Sequence, residues 1–286
     1  MILKTPPLTF TVVGLGHIGG SLARALKKVF KKQIRIIGID KNKATLAKAK
    51  KTRIFMELAN SLSSKITKDS DIVFVCVDVD QIPQVFMRLS KLGLKRGAII
   101  TDVGSTKEAI LKKAKSSLPS GVNFVGGHPI AGTEKSGFDS SDPNLFHERS
   151  FFVSGTVGSK KAPKRVGQIW KKLGCKVFTV SPKEHDKAFS YLSHFPHVLS
   201  FGLNKIVAQN LPSKTVRDYG GDSYKDYSRI SSSSKSLWSE IFLSNKNNLL
   251  INIKVFKKYL TELETALSKN TKSKTISAIR PKRRKP

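Results

Sequence analysis

The sequence predicts an α/β protein in which a doubly wound, mostly parallel sheet is followed by an all-helical region. Three observations support this fold class. A β-rich run over residues 8–13 leads into a glycine-rich turn, strand-like and helix-like segments then alternate to residue 180, and only helical periodicity follows. We therefore expect an α/β domain over residues 1–180, a helical domain over 181–268 and a disordered basic tail over 269–286.

The glycine-rich turn has the spacing of a dinucleotide-binding motif. Gly14 permits a tight turn, Gly16 lets the backbone approach a pyrophosphate, and Gly19 lets the following helix pack closely on the strand. The helix that begins here presents backbone N–H groups that can bind phosphate. We therefore expect a Rossmann-type domain whose cofactor contacts include Gly14, Gly16, His17, Ile18 and Gly19.

An acidic residue, Asp40, ends the second predicted strand over residues 34–39. A carboxylate at this position accepts hydrogen bonds from a ribose 2′-OH and repels a 2′-phosphate. The sequence therefore predicts NAD as the cofactor. Because Lys41 and Lys43 stand nearby and can offset this repulsion, NADP is the less favoured alternative.

Polar residues follow three of the later predicted strands, which cover residues 71–77, 98–101 and 122–125. Ligands bind at the carboxyl ends of strands in such sheets, so these positions are candidates for the site. The residues are Asp78 and Asp80, then Asp102 and Ser105, and finally His128. We expect Asp102 to contact the cofactor. Ser105 is either a helix cap or an active-site hydroxyl, and the two roles are compatible.

One histidine, His128, stands between two glycines and a proline. Gly126 and Gly127 allow close approach of the backbone, and Pro129 fixes a φ angle, so we expect His128 in a rigid loop after the strand over residues 122–125. A histidine can accept or donate a proton near neutral pH. We therefore place the chemistry here, the alternative being a structural histidine in a turn.

The helical region begins with a capping box over residues 181–184. The long helix that follows carries His185 and, farther along, His194 and His197. Pro196 lies between the last two histidines and should kink the helix, tilting both toward a cleft.

The last predicted helix, over residues 245–267, has apolar residues alternately four and three positions apart. They are Leu249, Ile253, Phe256, Leu260, Leu263 and Leu267. This seam is typical of coiled coils, so we expect a homodimer through the C-terminal helices. Packing within one chain is the alternative.

The composition is strongly basic, with 52 Lys and Arg against 20 Asp and Glu and a formal net charge of +32. The basic residues are mostly Lys, spread over helix faces without interleaved aromatic residues, so we interpret them as solvated surface and expect no nucleic-acid partner. The sequence has no apolar run of about eighteen residues and no signal-peptide core, which predicts a cytoplasmic protein without membrane association. Cys76 and Cys175 are expected to be reduced core residues, and no metal-ligand spacing is present.

In combination, these motifs resemble the prephenate and arogenate dehydrogenase family of tyrosine biosynthesis over residues 11–267. The resemblance is carried by residues 14–21, 102–107, 127–134, 194–197 and 225–230, followed by Leu237, Trp238 and residues 245–247. It implies oxidative decarboxylation of prephenate or arogenate with hydride transfer to NAD, giving 4-hydroxyphenylpyruvate or tyrosine. The two substrates differ only by a keto or an amino group, and both stay open.

The resemblance also implies roles for individual residues. His128 would be the catalytic histidine, hydrogen-bonded to the ring hydroxyl of the substrate, with Ser105 beside it. Arg229 and His197 would bind the substrate carboxylates. The pocket would also be lined by His194, Thr133, Glu134 and Lys225. An arginine suits a carboxylate because its guanidinium group can bind bidentately.

Two departures from the family pattern concern loop geometry, namely the serine run over residues 231–234 and Asp78, where a proline is common. We expect neither a chorismate mutase domain nor a regulatory domain. The alternative enzyme class is a β-hydroxyacid dehydrogenase or imine reductase, which usually has a catalytic lysine on its helical side; His128 argues against it. A non-enzymatic nucleic-acid-binding protein is a more distant alternative, disfavoured by the intact glycines and Asp40.

Overall fold

The computed structural model describes residues 6–132 and 135–280. Contacts divide them into two compact units. The first holds the chain as far as Asp186 together with Ser232–Ser244, and the second holds Lys187–Ser231 and the chain from Asn245 onward. Residues 181–186 and 232–244 thus group with the sheet, whereas the sequence analysis assigned them to the helical region.

In the first unit, the described residues form one eight-stranded sheet with the order β3-β2-β1-β4-β5-β6-β7-β8. The strands are β1 Leu8–Val13, β2 Ile34–Ile39, β3 Glu57–Ala59, β4 Ile72–Val75, β5 Ile99–Asp102, β6 Asn123–Pro129, β7 Ser150–Val157 and β8 Lys176–Thr179. Neighbouring strands are parallel except for β6 and β7, which are antiparallel. The predicted doubly wound, mostly parallel sheet is confirmed.

Helices follow the strands of the first unit. They are α1 His17–Phe30, α2 Lys43–Lys51, α3 Ser64–Asp69, α4 Ile82–Leu92, α5 Glu108–Ser117 and α6 Ala162–Lys172, then the start of α7 Pro182–Phe189, and α11 Lys235–Ser244. Short 3₁₀ segments cover Lys31–Gln33 and Phe138–Ser140.

The sheet is buried on both faces, which explains its near-continuous apolar strands. Alternate residues of β4 belong to different apolar clusters, Phe74 to one and Val73 and Val75 to the other. A strand places successive side chains on opposite faces, so the two clusters are the cores above and below the sheet. The larger core includes Phe151 and Trp170, whose rings stack with centroids 4.1 Å apart.

His128 lies within a strand, which corrects the expected position in a loop after residue 125. Strand β6 continues through His128 to Pro129 because these residues pair with Phe152 and Phe151 of the antiparallel strand β7. The register shifts beside Gly126, opposite Gly155 with φ +82. The sequence contains no local sign of this pairing, since β7 lies more than twenty residues away.

The second unit is helical. It contains the end of α7, a π-helical turn Ser190–His194, α8 Phe195–Asn210, α9 Ser213–Tyr219, α10 Asp222–Ser231, α12 Lys246–Ser268 and α13 Lys272–Ile279. Pro196 stands in the first turn of α8, two residues after the end of the π-helical turn, and has no N–H to continue the regular hydrogen-bond ladder. The expected disturbance of the helix therefore takes the form of this π-helical turn. Helix α13 lies in the tail that was expected to be disordered, and residues 281–286 lie outside the described residues.

Across residues 6–132 and 135–280, we find no helix with both the length and the apolar character needed to cross a membrane.

Candidate active site

The glycine turn between β1 and α1 has the geometry of a phosphate-binding loop. Gly14 has φ +89, and a Cβ atom there would lie 2.5 Å from the carbonyl oxygen of Cys76. A Cβ at Gly19 would lie 1.8 Å from the carbonyl oxygen of Gly14, whereas a Cβ at Gly16 would meet nothing within 4 Å. Packing therefore requires glycine at positions 14 and 19, and Gly16 leaves open space at the N-terminus of α1, where His17 and Ile18 begin the helix. These residues fit a bound dinucleotide.

A cavity of about 280 Å³ adjoins this turn. Its lining includes Gly14, Gly16, Asp40, Lys41, Asn60, Ser61, Asp78, Gln81 and Arg88. The carboxylate of Asp40 is fixed by two backbone N–H groups, of Leu15 at 2.8 Å and of Asn42 at 2.8 Å. Each carboxylate oxygen has a second lone pair, so Asp40 can also accept a hydrogen bond from a ribose hydroxyl.

Acidic side chains cluster near this cavity. Burial and then the charges of Asp80 and Asp78 raise the pKa of Glu240 to about 7, and Glu240 also forms a hydrogen bond with Asp80. The pKa of Asp78 is raised as well, first by burial and then by Asp80, with Lys41 opposing the shift. The negative charges of Asp78 and Asp80 therefore repel each other within the first unit.

His128 is buried and paired with a second histidine that the sequence analysis gave no role. Its Nδ1 atom lies 2.8 Å from Nε2 of His185. The side chain of His185 is 1% exposed, and its Nδ1 atom lies 2.8 Å from Oδ1 of Asp186. Because burial lowers the pKa of His185, with the Asp186 hydrogen bond opposing the shift, this ring is neutral near pH 7.

Asp186 also caps helix α5. Its Oδ1 accepts the backbone N–H of Lys107 at 2.7 Å, and its Oδ2 accepts that of Glu108 at 2.9 Å. A carboxylate is stabilised at this helix end by the exposed N–H groups and the helix dipole. The cap proposed for Ser105 thus comes from Asp186, and Ser105 lies half-buried in the loop between β5 and α5.

Asp102, which was expected to contact the cofactor, forms a buried ion pair. Its carboxylate binds the ammonium group of Lys107 and accepts the backbone N–H groups of Gly104 at 2.9 Å and Gly127 at 3.1 Å. Lys107 also donates to the carbonyl oxygen of Gly127 at 2.7 Å. Burial lowers the pKa of Lys107, and the charge of Asp102 opposes the shift. The pair holds Gly127, the residue before His128, through both backbone groups.

The other predicted site histidines lie in the second unit. His194 is buried, and its Nδ1 accepts a hydrogen bond from the side-chain amide of Asn245 at 3.0 Å. His197 donates from Nδ1 to the carbonyl oxygen of Ser193 at 2.9 Å, and burial lowers its pKa. A neutral His197 therefore carries its lone pair on Nε2, and it must gain a proton there to bind a carboxylate by charge.

The predicted cations share one helix of the second unit. Lys225 and Arg229 lie four residues apart on α10, which places them on the same face, and both are exposed. Lys225 contacts Asp222 at 3.2 Å. Thr133 and Glu134, the remaining predicted pocket residues, lie outside the described residues. Within residues 6–132 and 135–280, no group of three His, Cys, Asp or Glu side chains could hold a metal ion.

The phosphate-binding turn and the acidic side chain at the end of β2 together define a Rossmann-type dinucleotide-binding domain. Family models give the particular assignment. The model for the prephenate dehydrogenase nucleotide-binding domain matches residues 22–179, and the model for the prephenate dehydrogenase dimerization domain matches residues 181–280. The chain belongs to the prephenate dehydrogenase family, which confirms the resemblance found in the sequence.

Individual relatives agree. The chain is 36% identical to the prephenate dehydrogenase of Bacillus subtilis over 85% of its own length and 65% of the relative's. A crystal structure of Aquifex aeolicus prephenate dehydrogenase with hydroxyphenyl propionate and NAD+ is 31% identical, with a TM-score of 0.86 over 97% of this chain and 96% of that one. For Synechocystis arogenate dehydrogenase these values are 26%, 0.78, 94% and 95%. The chain thus spans just under two thirds of the Bacillus relative's length.

Proposed function

We propose that this chain catalyses the oxidative decarboxylation of prephenate or arogenate, with NAD as the hydride acceptor, in tyrosine biosynthesis. The observation that carries the proposal is His128, buried and hydrogen-bonded to His185, in a unit that also holds a dinucleotide-binding turn. The family models and the relatives named prephenate and arogenate dehydrogenase support the same reaction.

The cofactor residues in this proposal lie at the N-terminus of α1 and the end of β2. Gly14, Gly16 and Gly19, with His17 and Ile18, would hold the pyrophosphate against helix N–H groups. Asp40 would accept a hydrogen bond from a ribose hydroxyl and would repel a 2′-phosphate, so NAD would bind in preference to NADP. When bound, NAD accepts the hydride from the substrate carbon that bears the ring hydroxyl. Asp102, with its buried ion pair, would position the strand before His128 rather than contact the cofactor.

The base in this proposal is His128, which takes the proton of the ring hydroxyl as the carbon–oxygen double bond forms. The bond from the ring to its carboxylate then breaks, carbon dioxide leaves, and the electron pair of that bond completes the aromatic ring. The phenolic oxygen regains a proton, which His128 can return. Protons therefore balance within the site, and Ser105, in the loop after β5, would hydrogen-bond the same hydroxyl.

The substrate has two carboxylates, so its binding calls for cations. Arg229 would bind one carboxylate bidentately, and protonated His197 would bind the other. Lys225, on the same face of α10 as Arg229, would add positive charge, and His194, Thr133 and Glu134 would complete the pocket. The side-chain carbon that distinguishes prephenate from arogenate carries a keto or an amino group, and this proposal includes both substrates.

A two-by-two assay tests the proposal. Purified protein is mixed with prephenate or arogenate and with NAD or NADP, and the formation of reduced nicotinamide is followed by absorbance. Turnover is expected with NAD and at least one substrate, and the pattern identifies the substrate. A folded protein that is silent in all four mixtures would refute the proposed reaction and favour a β-hydroxyacid dehydrogenase.

We also propose a homodimer, formed through the helical unit. The family model for residues 181–280 is a dimerization domain. The predicted seam of α12 is used partly inside the chain, because Leu249 is buried and Phe256 packs on Phe195 with ring centroids 5.4 Å apart. Beside that seam, apolar side chains of α12 are exposed, namely Leu250, Ile251 and Val255. They supply a surface suited to a second copy.

A cytoplasmic location belongs to the same proposal. Cys76 and Cys175 are both free thiols, and burial raises their pKa, which suits a reducing compartment. Cell fractionation followed by the NAD assay tests this location.

A further inference from the structure

We propose that His185 and Asp186 are positioning residues which hold the proton of neutral His128 on Nδ1 and so leave Nε2 as its basic atom. This inference rests on the proposed function in one respect, since it names the atom that takes the hydroxyl proton. Its geometric basis is the set of contacts among three buried side chains of the first unit, those of His128, His185 and Asp186.

The chain of hydrogen bonds has a fixed direction at its Asp186 end. An ionised carboxylate can only accept hydrogen bonds. Both carboxylate oxygens of Asp186 act as acceptors, because Oδ1 accepts a hydrogen bond from the backbone N–H of Lys107 and Oδ2 accepts one from that of Glu108. The contact of 2.8 Å between Asp186 and Nδ1 of His185 therefore requires a proton on that nitrogen.

The hydrogen bond between His185 and His128 has the same donor-to-acceptor direction, toward Asp186. A neutral imidazole carries one proton, and in His185 that proton is on Nδ1, so its Nε2 presents a lone pair. Nδ1 of His128 lies 2.8 Å from this Nε2 atom and must therefore be the donor. With its single proton on Nδ1, neutral His128 has the lone pair on Nε2.

This arrangement does for His128 what the third member of a catalytic triad does for its histidine: it fixes the tautomer and the ring orientation. When Nε2 takes a proton, the imidazolium keeps its Nδ1–H bond to His185, with the charge of Asp186 one ring away. The charged groups around His185 are Asp186, Lys107 and Asp102, and Phe152 packs edge-on at 6.0 Å. Lys107 and Asp102 form an ion pair with each other, so Asp186 supplies the remaining negative charge.

The first test reads the tautomer directly and needs no substrate. In protein labelled with ¹⁵N-histidine, NMR distinguishes a protonated ring nitrogen from one with a lone pair. We expect wild-type His128, assigned by its loss in His128→Asn, to carry its proton on Nδ1 at neutral pH. A proton found on Nε2 would overturn the inference.

The second test compares two replacements of His185. In His185→Gln the amide oxygen can still accept from Nδ1 of His128, whereas His185→Leu offers no acceptor. We expect His185→Leu to move the His128 proton to Nε2 and lower kcat by about 10²–10⁴. His185→Gln should keep the wild-type tautomer and stay within about tenfold of the wild-type kcat.

Ser181→Ala is the matched control. Ser181 caps the same helix, α7, through its contact with Glu184, and it has no contact with the histidines among those described. This variant should loosen the helix end while leaving the tautomer and kcat unchanged. If His185→Leu matches Ser181→Ala in both measurements, the positioning role is refuted.

The two proposals fail in different ways. Wild-type protein that is inactive in all four assay mixtures, yet has Nδ1–H on His128, contradicts the proposed function alone. Active wild-type protein with Nε2–H on His128 contradicts the positioning role alone.

Discussion

The buried histidines of the candidate site are sensitive to substitution because water cannot replace the hydrogen bonds that they would lose. His128 is 8% exposed and His185 is 1% exposed, so the hydrogen bonds between them are not exchanged for bonds to solvent. A buried polar group that loses its partner costs about 1–3 kcal/mol, which makes each member of the chain from His128 to Asp186 sensitive to substitution.

Replacement of His128 by asparagine should separate folding from catalysis. The asparagine side-chain amide can occupy the place of Nδ1 and donate to His185, so we expect a melting temperature close to that of the wild type. Turnover at saturating substrate should fall by about 10²–10⁴ because the base is missing. Steady-state kinetics and thermal melts measure the two quantities, and substantial activity in this variant would exclude His128 as the base.

Glu240 should make stability depend on pH. Its pKa of about 7 in the folded protein lies above the ordinary value of 4.5, so the folded state favours the protonated form. Its unfavourable contribution is therefore absent below pH 4.5, grows between pH 4.5 and 7, and is complete above pH 7.

We expect Glu240→Gln to raise the melting temperature at pH 8 and to leave it nearly unchanged at pH 4. Glu184→Gln provides a comparison, because the Glu184 carboxylate accepts hydrogen bonds from Ser181 and its pKa is lowered. That variant should be less stable than the wild type at pH 8. Equal effects of Glu240→Gln at both pH values would show that the acidic cluster has no energetic role.

Among the elements, the turn between β1 and α1 and the start of α5 depend most on individual contacts. The turn needs glycine for two separate reasons. Gly14 and Gly19 lie against protein backbone, whereas Gly16 lies beside open space. Substitutions at these positions should therefore affect different properties.

Gly19→Ala should destabilise the fold, since its Cβ would lie 1.8 Å from the carbonyl oxygen of Gly14. Gly16→Ala should keep the wild-type melting temperature and weaken NAD binding by tenfold or more, about 1.4 kcal/mol, because the new methyl group occupies the space of the pyrophosphate. Thermal melts and calorimetric titration with NAD measure these effects. Gly202→Ala on α8, where a Cβ also meets nothing within 4 Å, should leave NAD binding unchanged and raise the melting temperature slightly, because alanine favours the helix more than glycine does.

Much of the fold could be predicted because its signals are local. The spacing of Gly14, Gly16 and Gly19 and the apolar runs of β1, β2 and β4 are read from a few neighbouring residues. Strand β3 escaped prediction because it has only three residues. The place of His128 in a strand depends on pairing with β7, which no neighbouring residue reveals.

The residues of the candidate site also differ in whether neighbouring residues in the sequence reveal them. His128 was proposed as a site residue from its glycine and proline neighbours, whereas His185 and Asp186 had no such neighbours in the sequence. Their roles arise from contacts between residues 57 and 79 positions apart, namely His128 with His185 and Lys107 with Asp186. For Asp102, the sequence did not reveal the buried ion pair with Lys107, because a polar residue at a strand end can pair with a lysine or contact a ligand.

At the scale of the whole molecule, charge and apolar surface act against each other. Each chain has a formal net charge of +32, so two copies repel, while exposed apolar side chains on α12 favour association. Salt at 0.1 M screens the repulsion between charges more than about 10 Å apart, so a dimer of this protein should become tighter as salt is added.

The double substitution Leu250→Asp and Ile251→Asp should convert the proposed dimer to a monomer. These side chains are 62% and 57% exposed, so the folded chain itself should tolerate the change. Light scattering after size-exclusion chromatography measures the mass, and circular dichroism checks the helices. Lys112→Asp, at an exposed position of α5 in the first unit, should remain dimeric. A double variant that is still dimeric would locate the interface elsewhere.

The place where the first unit ends has a consequence for recombination between homologues. A chimaera joined at residue 180, where the sequence changes from mixed to helical character, would take its His185 and Asp186 from the incoming parent. The proposed base, His128, and the residues proposed to orient it would then come from different parents, as would α5 and its cap. A crossover placed after Asp186 keeps them together, so chimaeras joined there should retain activity more often than those joined six residues earlier.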